Sequence, residues 1–237
     1  MSEPPAPGGG LVPLGSDLWI ADGPITRFFG FPYPTRSTLV RLADGTLWVC
    51  SPIALTEALA QEIDALGPVR YLVSPNKIHH LFLSDWKQRW PAARLYASPG
   101  LARRRGDLRF DAELSDRPDR AWASDIDQVV FHGSVLLEEV VFFHRASRTA
   151  IVTDLVQRFD PAAVHGWRGW LMRLDGVVGQ GGSTPRDWRL SFVDRRAARR
   201  AKATLLGWDP QQVVIAHGAC VREGGREVLE RALRWLG

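Results

Sequence analysis

Three short apolar runs in this chain each lead into side chains able to bind a metal ion, and this pattern constrains the fold more than any other feature. Tyr71-Leu72-Val73 leads into Asn76-Lys77-Ile78-His79-His80, Ala150-Ile151-Val152-Thr153 into Asp154, and Val213-Val214-Ile215-Ala216 into His217. Apolar runs of this length, bounded by polar residues, read as strands. Open sheets bind ligands at the carboxyl ends of their strands, so donors scattered in sequence can converge in space. The expectation is that three strand ends aim His79, His80, Asp154 and His217 at one point.

The remaining sequence supplies a scaffold for such strands. With 237 residues, 45% hydrophobic and 24% charged, the chain can bury a substantial core. Residues 1–10 are Pro/Gly-rich and expected to be disordered, and residues 11–237 are expected to form one domain. Strands are expected at 16–21 and 37–42, with Asp44-Gly45 as a hairpin signal before a strand at 46–50. Ser51 reads as a helix N-cap with Pro52 at the first helical position. Leu55, Leu59, Ile63 and Leu66 then recur at helical intervals until Gly67 closes the helix. A strand at 70–74, a helical stretch at 81–90 and a strand at 94–97 continue the alternation. Further strands are expected at 128–131, 139–144, 150–153 and 212–216, and helices at 197–206 and 223–236, whereas 162–188 reads as irregular and Gly/Trp-rich. Hairpins followed by strand-helix units, twice over, predict an α/β (α+β) fold of two mixed β-sheets packed together with helices outside.

Composition excludes several classes. No apolar run approaches the roughly 20 residues needed to span a bilayer, and the N-terminus lacks a basic-then-apolar leader. A soluble, cytoplasmic protein with no membrane association is expected. Cys50 and Cys220 are too few for a disulfide framework and read as buried free thiols. The net charge of +4 concentrates in Arg103-Arg104-Arg105 and in a stretch where helical spacing groups Arg195, Arg199 and Lys202. A solvated helix face is the favoured reading and nucleic acid is not expected; binding of an anionic polymer there would show strong salt dependence. The oligomeric state is left open by the sequence.

The order of strand, His-bearing segment, helix and Tyr96-Ala97-Ser98-Pro99, with Thr153-Asp154-Leu155 and Ala216-His217-Gly218 later, resembles the metallo-β-lactamase-like hydrolases. That family's first motif reads His-x-His-x-Asp-His, and its later segments read Gly-Asp-Leu and Gly-His-Gly. More narrowly, Pro75-Asn76 with His79-His80, Phe143-His144 with Ser147-Arg148-Thr149, Asp154, and Trp208-Asp209-Pro210 before His217 resemble the branch called DUF4336. The resemblance runs from about residue 11 to the end of the chain and implies an αββα four-layer sandwich. Departures accompany it. Aligning residues 74–80 with the family motif puts Pro75 and Lys77 where two first-site histidines belong. The family's middle histidine falls near Val135, with His132 the only imidazole close by. The first metal site is thereby implied to be dismantled, while the second is implied to survive as His79, His80, Asp154 and His217.

Three imidazoles and a carboxylate suit one Zn²⁺, and iron, manganese or nickel would accept the same donors. A closed tetrahedral shell would be structural; a shell that expands or releases one donor would activate a water molecule. Two functions follow from the resemblance. One is a mononuclear metal-dependent hydrolase of an ester, lactone or phosphoester of a small molecule, using metal-activated water, with Asp154 as metal ligand and candidate base. The other is a non-catalytic binding or structural module. Lys77 and Asn76 beside the histidines, and Trp167 and Trp170 after Asp154, are the candidate substrate contacts; Lys77 would orient an anion or repel a second metal ion. His144 is expected to face outward from its strand, and His165 has no assigned role.

Overall fold

The structure is a computed structural model describing residues 10–28 and 30–237. Except for Gly10, the N-terminal segment expected to be disordered lies outside the described residues. The chain divides into two compact units, the first ending at Leu114 and the second running from Ser115 to Gly237. No helix among the described residues is long and apolar enough to cross a membrane.

The first unit is a seven-stranded sheet whose strands lie in chain order: β1 (Val12–Gly15), β2 (Leu18–Phe28), β3 (Phe31–Arg41), β4 (Leu47–Cys50), β5 (Val69–Val73), β6 (Arg94–Ala97) and β7 (Ala112–Glu113). β1 to β4 pair antiparallel, while β4 to β7 pair parallel. A tight turn joins β3 to β4. At the Asp44-Gly45 turn Gly45 has φ 81°, and Asp44 Oδ1 accepts from Thr46 N at 2.9 Å. Parallel pairing needs crossovers, supplied here by α1 (Glu57–Leu66), α2 (Leu83–Arg89) and the single turn α3 (Leu101–Arg104). Leu39, Val49, Leu72 and Leu95 from the sheet pack with Leu59 and Ile63 of α1 and Trp86 of α2 in one core. Trp86 also donates its indole N–H to Ile53 O at 2.7 Å, which satisfies the one polar atom it buries.

Helix α1 begins later than the sequence suggests. Its cap is Thr56, whose hydroxyl accepts from Leu59 N, and not Ser51. The Ser51 N–H still bonds to Val73 O, extending the β4–β5 ladder by one residue, and the backbone then turns through φ 58° at Ser51. A serine before Pro52 looked like a helix start because local chemistry cannot reveal a strand partner elsewhere in the chain.

The second unit holds a four-stranded sheet in the order β11-β10-β9-β8, with β8 (Ile126–Phe131), β9 (Glu139–His144), β10 (Thr149–Val152) and β11 (Gln212–Ile215). β8, β9 and β10 pair antiparallel, and β10 pairs parallel with β11. The carboxyl ends of β10 and β11 therefore share one edge. The helices are α4 (Gly166–Asp175), α5 (Arg186–Leu190), α6 (Arg195–Gly207) and α7 (Gly225–Ala232). Ala198, Ala201 and Leu205 of α6 and Leu229 of α7 join Val141, Val152, Val213 and Ile215 in the core.

Two expectations for this unit are corrected. Residues 162–188 contain α4 and the start of α5. Glycine disguised α4, because Gly169 lies where a Cβ would sit 2.8 Å from the Val164 carbonyl carbon, so packing rather than helix propensity selects it. His144 does not face outward. All six positions of β9 are buried, leaving no solvent face; His144 is 2% exposed with Nδ1 2.8 Å from Ser147 Oγ. The basic stripe on α6 has an internal role: the Arg199 guanidinium donates to Leu236 O and Lys202 Nζ to Gly237 O, tying down the C-terminal turn.

Candidate metal centre

In the first unit, the segments following β4, β5 and β6 leave the sheet at the same edge, since these strands run parallel. The fully buried Asn76 folds the segment after β5: its Oδ1 accepts from Ile78 N at 2.9 Å and His79 N at 3.1 Å, a side chain closing its own turn. Ser74 Oγ lies 2.9 Å from Asn76 O and 2.7 Å from His79 O, bracing the same turn. Asn76, expected at the substrate, thus shapes the loop that carries the histidines.

The two adjacent imidazoles have different partners. His79 Nδ1 lies 2.6 Å from Ser51 Oγ, so the residue first read as a helix cap orients this ring. His80 Nδ1 lies 3.1 Å from Arg105 Nη1, which also donates to His80 O at 2.9 Å. Burial lowers the His80 pKa below the ordinary histidine value, and the charges of Arg105 and Arg104 push it the same way. Lys77 is half-buried, with its stem beside Gly100.

In the second unit, Asp154 follows β10 and His217 follows β11, and the structure brings them together. His217 Nε2 is 3.2 Å from Asp154 Oδ1, with side chains only 8% and 7% exposed. Gly218 is required after His217, because its φ is 123° and a Cβ there would lie 2.0 Å from Arg158 O. The sequence reading missed Glu139, the first residue of β9, which is wholly buried. Its Oε1 accepts from Thr153 N at 2.8 Å, and its Oε2 accepts from Asp154 N at 2.7 Å and Leu155 N at 3.2 Å. Burial raises the Glu139 pKa, and the Asp154 charge adds to the rise. An acid heading the otherwise apolar run Val140 to Phe143 was the available signal. The buried Asp154 carboxylate and His217 imidazole offer one oxygen and one nitrogen donor, the types that suit a divalent cation, with Glu139 holding the Asp154 segment from behind.

Trp167 and Trp170 are 63% and 58% exposed on α4, forming a helical stripe with Leu171 and Leu174. Cys50 is buried, as expected, and Cys220 only half-buried. His132 lies between two carboxylates, with Nδ1 3.0 Å from Glu138 Oε1 and Nε2 3.2 Å from Asp116 Oδ2. Partial burial lowers its pKa, but the bonds and charges of Glu138 and Asp116 outweigh this and raise it. A raised histidine pKa stabilises the fold fully below the unfolded value of about 6.5, and the contribution fades as pH rises through the folded value. Urea unfolding should accordingly show the parent losing more stability than His132→Gln between mildly acidic and mildly alkaline pH; parallel losses would count against the clamp.

The chain is similar in fold to solved metallo-β-lactamases. A metallo-beta-lactamase from Pontibacter korlensis aligns with 95% of this chain and 97% of its own, at TM-score 0.65 and 15% identity. The metallo-beta-lactamase FIM-1 from Pseudomonas aeruginosa, in its mono-zinc form, aligns over 98% of this chain and 96% of its own, at TM-score 0.64 and 12% identity. One from Hirschia baltica gives 95% and 96%, TM-score 0.63 and 14% identity. These likenesses show the metallo-β-lactamase fold class anticipated from the sequence. No curated protein matches the sequence. The family described as "Domain of unknown function (DUF4336)" matches residues 27–165, more than half of the 237. The chain therefore belongs to the DUF4336 family and carries a metallo-β-lactamase-like fold.

Proposed function

We propose that this protein is a mononuclear metal-dependent hydrolase in which His79, Asp154 and His217 hold one divalent ion, zinc foremost, and which cleaves an ester, lactone or phosphoester of a small molecule. The observation that carries the reading is the buried pairing of His217 Nε2 with Asp154 Oδ1 at 3.2 Å, on a segment whose backbone amides are gripped by Glu139. Iron, manganese or nickel would suit the same donors. Pro75 and Lys77, where the resembled family has histidines, favour one ion over two. The mono-zinc form of FIM-1 supports the compatibility of a single ion with this fold.

An ion in this donor set would supply Lewis-acid polarisation and a nucleophile near neutral pH. The chain's own residues do the rest. Ser51 orients the His79 ring, Glu139 fixes the Asp154 segment, and Asp154 is the candidate proton acceptor. Lys77 offers a positive charge to an anionic group of the substrate. Trp167 and Trp170, exposed on α4, would contribute aromatic surface.

The second reading is a non-catalytic module that retains the fold. It is favoured by the partners already given to the imidazoles, Ser51 for His79 and Arg105 for His80. Elemental analysis of protein purified without added metal separates the two. The first reading expects about one ion per chain, lost in His79→Ala and in His217→Ala. A parent that holds no metal, even after incubation with zinc and desalting, leaves the module.

A further inference from the structure

We propose that Arg105 fixes His80 as its Nε2–H tautomer, which makes this ring a hydrogen-bond donor to an anionic oxygen of the substrate and not a fourth metal ligand. The substrate half of this statement rests on the hydrolase reading above; the tautomer half stands on the first unit alone.

The argument begins with what a guanidinium can do. Arginine stays protonated in proteins and only donates. With Arg105 Nη1 3.1 Å from His80 Nδ1, that ring nitrogen must be the acceptor. In a neutral imidazole one nitrogen accepts and the other carries the proton, so the proton sits on Nε2. A protonated ring nitrogen has no lone pair for a metal. To become a ligand through Nδ1, His80 would have to break its bond to Arg105.

Arg105 is held too firmly to release the ring readily. Its Nε donates to Asp107 Oδ1 at 2.7 Å, and its Nη2 donates to Asp107 Oδ2 and to Ser84 Oγ, each at 2.7 Å. Nη1 additionally grips His80 O, and the Arg105 backbone N–H closes α3 on Leu101 O. Arg105 is thus a positioning residue, acting through His80.

Among the described residues nothing bonds to His80 Nε2, and the residue is only 9% exposed. The ring is backed by the Arg105 guanidinium, so the acceptor that suits its outward N–H is negative. A carboxylate or phosphate oxygen, or the oxyanion that develops during acyl transfer, has that character.

The test uses protein with ¹⁵N-labelled histidine rings, full-length Arg105→Met and His80→Ala variants, and inorganic phosphate as the anionic probe. In the parent, two-bond ¹H–¹⁵N spectra should show His80 with a protonated Nε2 and a bare Nδ1, and phosphate should shift the Nε2 signal. In Arg105→Met the ring should become a mixture of tautomers. His80→Ala should retain the parent's zinc stoichiometry, whereas His79→Ala loses it. A proton on Nδ1 in the parent, or an Nε2 signal unmoved by saturating phosphate, overturns the proposal. So does a fall in zinc affinity of roughly tenfold or more in His80→Ala, the scale expected when a group supporting the metal is lost. If Arg105→Met fails to fold, the parent spectra still decide the tautomer. If the parent binds no zinc, the hydrolase reading fails, while the ring spectra and the phosphate titration continue to decide this one.

Discussion

Adding a chelator to the zinc-loaded protein is expected to lower its unfolding temperature by roughly 8–16 °C. A ligand that binds only the folded state stabilises it by about 4 kcal/mol at a free concentration a thousand times its dissociation constant. For a chain of this size each kcal/mol moves the midpoint by about 2–4 °C. The effect should be large because the proposed ligands come from distant parts of the sequence, so the unfolded chain has no comparable site. Calorimetry with and without chelator measures it. His217→Ala should show no chelator-dependent shift, since the buried pair with Asp154 is gone. A parent midpoint indifferent to both zinc and chelator would sink the metal centre while leaving the fold untouched.

Replacing Glu139 with alanine is expected to destabilise the second unit by about 3 kcal/mol. This carboxylate accepts three backbone N–H groups, from Thr153, Asp154 and Leu155. A buried donor left without an acceptor costs about 1–3 kcal/mol. The full sum is not expected, because removing the charge also relieves repulsion with Asp154 and the cost of burying a carboxylate. Glu139→Gln should cost less. Its one carbonyl oxygen can still receive Asp154 N and Leu155 N, while its amide group faces the Thr153 N–H without accepting from it. Urea unfolding of the two variants checks the order. Equal losses in both, or an alanine variant within about 0.5 kcal/mol of the parent, would mean that Glu139 does not hold the segment. A weaker zinc affinity in Glu139→Gln at near-parental stability would tie the same grip to the site.

Legibility in the sequence followed the range of the interactions. β6 and β9 have the bounds expected from their runs, because an apolar run between turn residues carries its own signal. The helix at 195–207 was expected two residues shorter at its start, where Asp194 caps it by accepting from Arg196 N and Ala197 N. Helix α4 was missed because its glycine answers to a neighbouring backbone and not to helix propensity. His144 was misplaced because alternation foretells an outward face only when one side of the sheet is wet.

The primary sequence by itself determined which donors exist and which strand ends carry them: Asp154 and His217 on adjoining parallel strands, and the histidines after β5. Such information is local, since a strand's period needs only its nearest neighbours. Tertiary structure alone decided what each donor touches. His79 bonds to a serine 28 residues away, His80 to an arginine 25 away, and the Asp154 amide to a glutamate 15 away. No repeat in the chain links those positions; they meet because a folded sheet brings distant loops to one edge, where charge and hydrogen-bond geometry choose the partners.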